Sequence, residues 1–126
     1  MKGLVDTSVF IASEAGRPLE TLPDEPAVSV VTLAELHLGV LLARDAQTRA
    51  RRLRTVSRVE SQYEPIPIDA EVARIFAAII GDARAIGRRP PIMDVWIAAT
   101  GVRHGLVIFT QDAGFAEIPQ VQVQRV

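Results

Sequence analysis

Along its whole length the chain alternates between short β-branched runs and longer stretches of helical period, a rhythm that few folds accommodate. Apolar runs at 2–5, 27–30, 65–68, 106–109 and 121–125 predict strands. Helical patterns fall at 7–15, 32–44, 46–62, 69–86 and 94–104. Strands separated by helices are joined by crossovers, so they pair in parallel, and right-handed crossovers place helices on both sheet faces. The expectation is an α/β fold of three layers, helix–sheet–helix, with a mainly parallel central sheet. Its 126 residues fit a single domain over 1–126, and a hydrophobic content of 48% is enough for a real core. Pro23, Pro26, Pro65, Pro67 and Pro119 mark strand edges or loops, and Pro90-Pro91 separates the last two helices. Gly105 follows the last helix, where a left-handed residue commonly ends one.

The chain has no Cys, which excludes disulfides, thiolate metal sites and a Cys nucleophile. Together with the want of an export signal, this makes the cytoplasm the expected compartment. Met1-Lys2-Gly3-Leu4-Val5 looks like the start of a leader, but Asp6 interrupts it and no small-residue cleavage site follows. No apolar run is long enough to span a membrane. The net charge of −1 gives the whole molecule no pull on nucleic acid, but arginines cluster. Arg44, Arg49, Arg51, Arg52, Arg54 and Arg58 form one group, and Arg84, Arg88 and Arg89 another.

Four carboxylates stand where strand-like runs give way to helix-like ones: Asp6, Glu35, Asp94 and Asp112. In an open parallel sheet, ligands bind outside the carboxyl ends of the strands. Acids arriving there from distant parts of the chain can converge, and a crevice of carboxylates repels itself unless a cation offsets the charge. Hard oxygen donors of this kind suit Mg²⁺ or Mn²⁺. Each acid also has a plain structural use. Asp is a favoured N-cap, which is sufficient to account for Asp6, Asp94 or Asp112. Thr32-Leu33-Ala34-Glu35 has the spacing of a capping box, and Asp69 is expected only to cap a helix. Position along the chain leaves both uses open.

Four segments in order carry a resemblance. They are Val5-Asp6-Thr7-Ser8, Thr32-Leu33-Ala34-Glu35-Leu36-His37-Leu38-Gly39-Val40, Asp94-Val95-Trp96-Ile97-Ala98-Ala99 and Phe109-Thr110-Gln111-Asp112-Ala113-Gly114-Phe115. Together they resemble the PIN-domain ribonucleases, and most closely the VapC-type toxins of bacterial toxin–antitoxin pairs. The resemblance spans essentially the whole chain and implies a PIN-like domain. It puts the family's catalytic and metal-binding acids on Asp6, Glu35, Asp94 and Asp112, and its supporting hydroxyls on Ser8 and Thr110. It further implies one or two Mg²⁺ or Mn²⁺ ions, hydrolysis of RNA phosphodiesters, a cognate antitoxin, and a homodimer or toxin–antitoxin hetero-oligomer. The chain departs from the pattern at Gly114, where the family often has a further Asp. A PIN-fold module that binds RNA or protein without cutting is the alternative.

A phosphoacceptor receiver domain would share the size and alternation. It needs a lysine near the last strand and paired acids after the first, whereas Lys2 is the only lysine and Asp6 stands alone. His37 and His104 lack metal-ligand spacing and read as surface or packing residues. Trp96 reads as core, with base stacking the other use for such a ring. The helix expected over 46–62 carries a thin apolar stripe of Ala50, Leu53 and Val56 among its arginines, whose default is a solvated face and whose alternative is phosphate contact. The helix expected over 32–44 has two apolar stripes. Leu33, Leu36, Val40 and Ala43 form the first, and Leu38, Leu41 and Leu42 the second. A second stripe calls for another helix, subunit or partner.

Overall fold

The computed structural model describes residues 1–126. Its elements are β1 (Lys2–Val5), α1 (Thr7–Glu14), β2 (Glu25–Ala27), α2 (Val30–Leu41), α3 (Ala46–Gln62), α4 (Ala70–Ala85), α5 (Ile92–His104), β3 (Val107–Thr110) and β4 (Val123–Arg125), with a 3-10 turn at Ala113–Glu117 before β4. The four strands form one sheet in the order β2-β1-β3-β4. Every pairing is parallel, with Leu4 opposite Ala27 and Ile108, and Ile108 opposite Val123.

The central strands bury both faces, which is why β1 and β3 read as continuous apolar runs. Leu4 and Ile108 point into the larger core cluster with Val72, Ile79, Val95, Ala98 and Ala99 from α4 and α5. Residues one step along a strand point the other way. Val5 there lines an apolar recess with Val9 and Phe10 of α1. A Cβ on Gly3 would lie 2.4 Å from the Phe109 ring, so only glycine leaves that ring its place. A second cluster of Val28, Leu36, Val56 and Val59 joins α2 to α3. The layers are therefore α1–α2–α3, the sheet, and α4–α5. Gly105 closes α5 at φ 64°, in the left-handed region, as its position predicts.

Three expectations need correction. The 65–68 segment is no strand: Pro65 and Pro67 lack the N–H that a ladder needs, so only Ile66 pairs, as a single bridge to Ser29. Its N–H reaches Val28 O at 2.8 Å, and its carbonyl accepts Val30 N at 3.0 Å. The 27–30 strand ends earlier, at Ala27, because Ser29 caps α2 by accepting Val31 N, and the β-branched Val30 and Val31 enter the helix. In α3 the buried face is Thr55, Val56 and Val59, while Leu53 is half-exposed and Ala50 exposed.

Candidate active site

The acids occupy the carboxyl edge of the sheet and the helix starts beside it. Asp6 follows β1 directly and is only 4% exposed. Its Oδ2 accepts three hydrogen bonds: from Ser8 N at 3.4 Å, Ser8 Oγ at 2.7 Å and Thr110 Oγ1 at 2.9 Å. Its Oδ1 takes none of them. Ser8 Oγ in turn accepts Gln111 N at 3.0 Å, and Thr110 Oγ1 accepts Asp112 N at 2.9 Å. Each hydroxyl has one proton. Both give it to Asp6 and take one from the chain after β3, so the ends of β1 and β3 are stitched together through one carboxylate oxygen. Ser8 and Thr110 thus surround Asp6.

Glu35 sits in the second turn of α2. The capping-box use fails, because Ser29 is the N-cap and Glu35 is six residues further on. Its Oε1 instead accepts from Thr7 Oγ1 at 2.7 Å, and Thr7 Oγ1 also lies 3.1 Å from Thr32 Oγ1. Burial raises the Glu35 carboxyl above its ordinary pKa; the Thr7 hydrogen bond opposes this and Asp6 adds to it. Asp94 is likewise no cap, because α5 starts at Ile92 behind Pro91. It is half-buried, with no hydrogen-bond donor on its carboxylate, and its pKa is pushed up to about 7. Desolvation is the largest cause, followed by the charges of Asp6, Asp112 and Glu35. Asp94 therefore lies within electrostatic reach of the other three. Asp112 is exposed at the rim and does cap, its Oδ1 accepting Gly114 N at 2.8 Å. Asp69 caps α4, accepting Val72 N at 2.9 Å, and lies 4.0 Å from Arg103 Nε; its shift downward comes first from the cap bond.

The donors are all hard oxygens, and the crevice holds a surplus of negative charge that a divalent cation would offset. As they stand, no three of these carboxylates are grouped to hold one ion between them. Such a set suits an ion that takes one or two carboxylates and keeps several waters.

The sequence reading missed Thr7, whose one signal is a hydroxyl placed directly after Asp6. It also missed Glu14. This side chain, only 14% exposed, is held by Thr55 Oγ1 at 2.8 Å and faces Arg51 Nε at 3.8 Å. With Glu35 and Arg52 it lines a cleft of about 170 Å³ beside the crevice. Trp96 stacks on Phe76 with centroids 3.7 Å apart, and packs against the core as expected. His37 is exposed, with Nε2 2.8 Å from Glu60 Oε1, and His104 is exposed as well.

The PIN domain sequence family matches residues 3–121. Ribonuclease VapC4 of Mycobacterium tuberculosis is 47% identical over 124 residues, covering 97% of this chain and 95% of that one. Ribonuclease VapC5 of the same organism is 45% identical over 118 residues, covering 92% and 87%. A solved structure of VapBC-5, a member of the VapBC family of toxin–antitoxin systems from M. tuberculosis, superposes with a TM-score of 0.85 at 41% identity, over 99% of this chain and 97% of that one. With the fold, the family match and the near full-length relatives in agreement, the chain belongs to the PIN-domain family, among its VapC-type ribonuclease toxins.

Proposed function

We propose that residues 1–126 act as one domain that hydrolyses RNA phosphodiesters at Asp6, Glu35, Asp94 and Asp112 with one or two Mg²⁺ or Mn²⁺ ions. The observation that carries this reading is the Asp94 carboxyl, raised to about 7 by burial and by three other acids. A protein without use for a cation has no reason to hold four carboxylates in such mutual repulsion. A bound divalent ion supplies Lewis acidity toward phosphate oxygens and acidifies water. The chain's own groups orient the donors. Ser8 and Thr110 fix Asp6 through Oδ2 and leave Oδ1 for the crevice. Thr7 fixes one oxygen of Glu35. Asp94 gives up its proton when positive charge enters, which makes it the acid most responsive to loading. Asp112 forms the open rim.

The likeness to VapBC-5, a toxin–antitoxin system, supports an antitoxin partner for this chain. No helix is long and apolar enough to cross a membrane, and the working site is the cytoplasm, where RNA is met. The test is cleavage of a defined RNA in Mn²⁺ by the wild type and by Asp6→Asn, Glu35→Gln, Asp94→Asn and Asp112→Asn. Each change is expected to abolish cleavage, and pairs to lose little more than singles, because residues sharing one task are non-additive. Near-normal cleavage by any one variant would remove that residue from the site.

A further inference from the structure

Beside the crevice, next to Asp112, a cleft of about 340 Å³ has no hydrophobic residue in its lining. Arg88, Arg89, Pro90, Pro91, Gly114 and Glu117 form its walls. It adjoins the acids at two points. Gly114 donates its N–H to Asp112 Oδ1 at 2.8 Å, and Pro91 immediately precedes α5, which carries Asp94. Arg88 Nη1 donates to Glu117 O at 2.8 Å, which ties the 86–91 loop to the 3-10 turn after Asp112. Neither Arg88 nor Arg89 has a carboxylate within ion-pairing distance, Glu117 included, and the same holds for Arg84, which lines the adjoining surface with both of them.

The other arginine group differs. In α3, Arg49 Nη2 donates to Ala43 O at 3.1 Å, Arg52 Nη1 donates to Gly39 O at 2.7 Å, and Arg51 faces Glu14. These three serve to hold α3 against its neighbours. Beside Asp112, Arg88 has one such bond but Arg89 has none, although a crevice of four acids repels a polyanion and needs cationic ground next to it. Gly114 matters here too. A Cβ at that position would lie 3.1 Å from Asp112 Oδ1, so glycine leaves that carboxylate uncrowded at the boundary of the cleft.

We propose that the Arg88–Arg89 cleft binds a backbone phosphate of single-stranded RNA flanking the one to be cut, with Arg89 as its principal contact and Arg88 as the anchored second. The proposal rests on the ribonuclease reading for its substrate, but its test does not need cleavage. Binding of a fluorescent single-stranded RNA to the wild-type chain is measured in EDTA between about 50 and 200 mM salt, by anisotropy. Each phosphate contact contributes about 0.7 to the slope of log affinity against log salt. Arg89→Ala is expected to lower the slope by about that amount and to weaken binding, while Arg89→Lys keeps most of the slope because it keeps the charge. Arg54→Ala, on the exposed side of α3, should leave the slope unchanged.

A wild-type slope retained in Arg89→Ala overturns the proposal. So does an equal loss in Arg54→Ala, which would mean diffuse charge rather than a site, and so does a wild type that does not bind RNA. Cleavage of the same RNA in Mn²⁺ separates the two readings. Arg-dependent binding without cleavage would leave the cleft standing and sink the ribonuclease site. Cleavage with KM untouched in Arg89→Ala would do the reverse.

Discussion

Asp94 differs from its three neighbours in having no hydrogen-bond donor to steady its charge against burial and the other acids. Its pKa rises from 3.8 to about 7, and the folded chain therefore holds a proton that the unfolded chain releases. Stability of the ion-free protein should fall as pH rises through the window from about 4 to 7, and the penalty should be fully present above it. Three units would be about 4 kcal/mol for a sealed site. Asp94 is half-exposed and screened, so about 1 kcal/mol is the expectation. Asp94→Asn removes the titration, and in EDTA at pH 8 it should melt about 3–5 °C above the wild type while losing cleavage. A lower melt, or an unchanged slope of stability against pH between 4 and 7, would show that Asp94 is not the strained member. Thr7 makes a second case. Thr7→Val deletes the donor at 2.7 Å from Glu35 Oε1 and leaves burial and Asp6 unopposed, so the Glu35 pKa should climb further. Cleavage should then fall most at low pH, with partial recovery as pH rises, whereas Thr7→Ser should keep the wild-type pH profile. The importance of Thr7 was not legible from the sequence, because the hydroxyl acts on a residue 28 positions away.

At the scale of elements, α2 shows which signals survive folding. Its two stripes were readable from spacing: Leu36 is buried and Val40 packs against it, while Leu38, Leu41 and Leu42 are 49, 77 and 65% exposed. Three leucines open to water on one helix are a surface awaiting cover. An amphipathic antitoxin segment laid along them fits a helix-in-groove mode. Leu41→Asp with Leu42→Asp should leave RNA cleavage intact and abolish inhibition by the cognate antitoxin. Hydrogen exchange should show protection of 38–42 in the wild-type complex only, and inhibition that survives the double change would move the antitoxin elsewhere. The boundaries of α2 were less legible than its faces. Val28-Ser29-Val30-Val31 has strand composition, but Ser29 offers a cap, and burial of Val31 rewards the helix more than β-branching opposes it. Propensity likewise favoured a strand at Ile66, where two prolines leave too few donors for a ladder. The α5 start shifts the same way: Pro91 precedes it, so Asp94 falls inside the first turn, where its charge meets the positive helix end rather than serving as a cap.

For the molecule as a whole, the layered architecture followed from the alternation of elements, because crossovers leave little choice of topology. The convergence of the acids followed less directly. Sequence places Asp6 and Asp112 at strand ends, but only the order β2-β1-β3-β4 makes those ends neighbours and sets α2 beside them. The chain is nearly neutral, with 14 basic and 15 acidic side chains, so its electrostatics lie in arrangement and not in sum. Four acids share one crevice, while arginines cluster in α3 and in the loop before α5. Two consequences follow for stability. In EDTA the crevice opposes folding, and a divalent cation that binds only the folded chain should oppose unfolding by mass action. At a free concentration about a hundred times Kd the gain is about 2.7 kcal/mol. Thermal melts in EDTA and in Mn²⁺ should therefore separate clearly for the wild type. Asp69→Asn, which alters the α4 cap and the Arg103 pair away from the crevice, should lose a little stability in both conditions and show the full metal shift. Asp94→Asn should start higher in EDTA and shift far less, so the order of the two proteins should reverse once metal is added. The reversal is diagnostic, because a purely structural Asp94 would give two curves displaced in parallel. If metal raised both proteins equally, the ion would be binding away from Asp94. If it raised neither, these carboxylates would be held together for some purpose other than a cation.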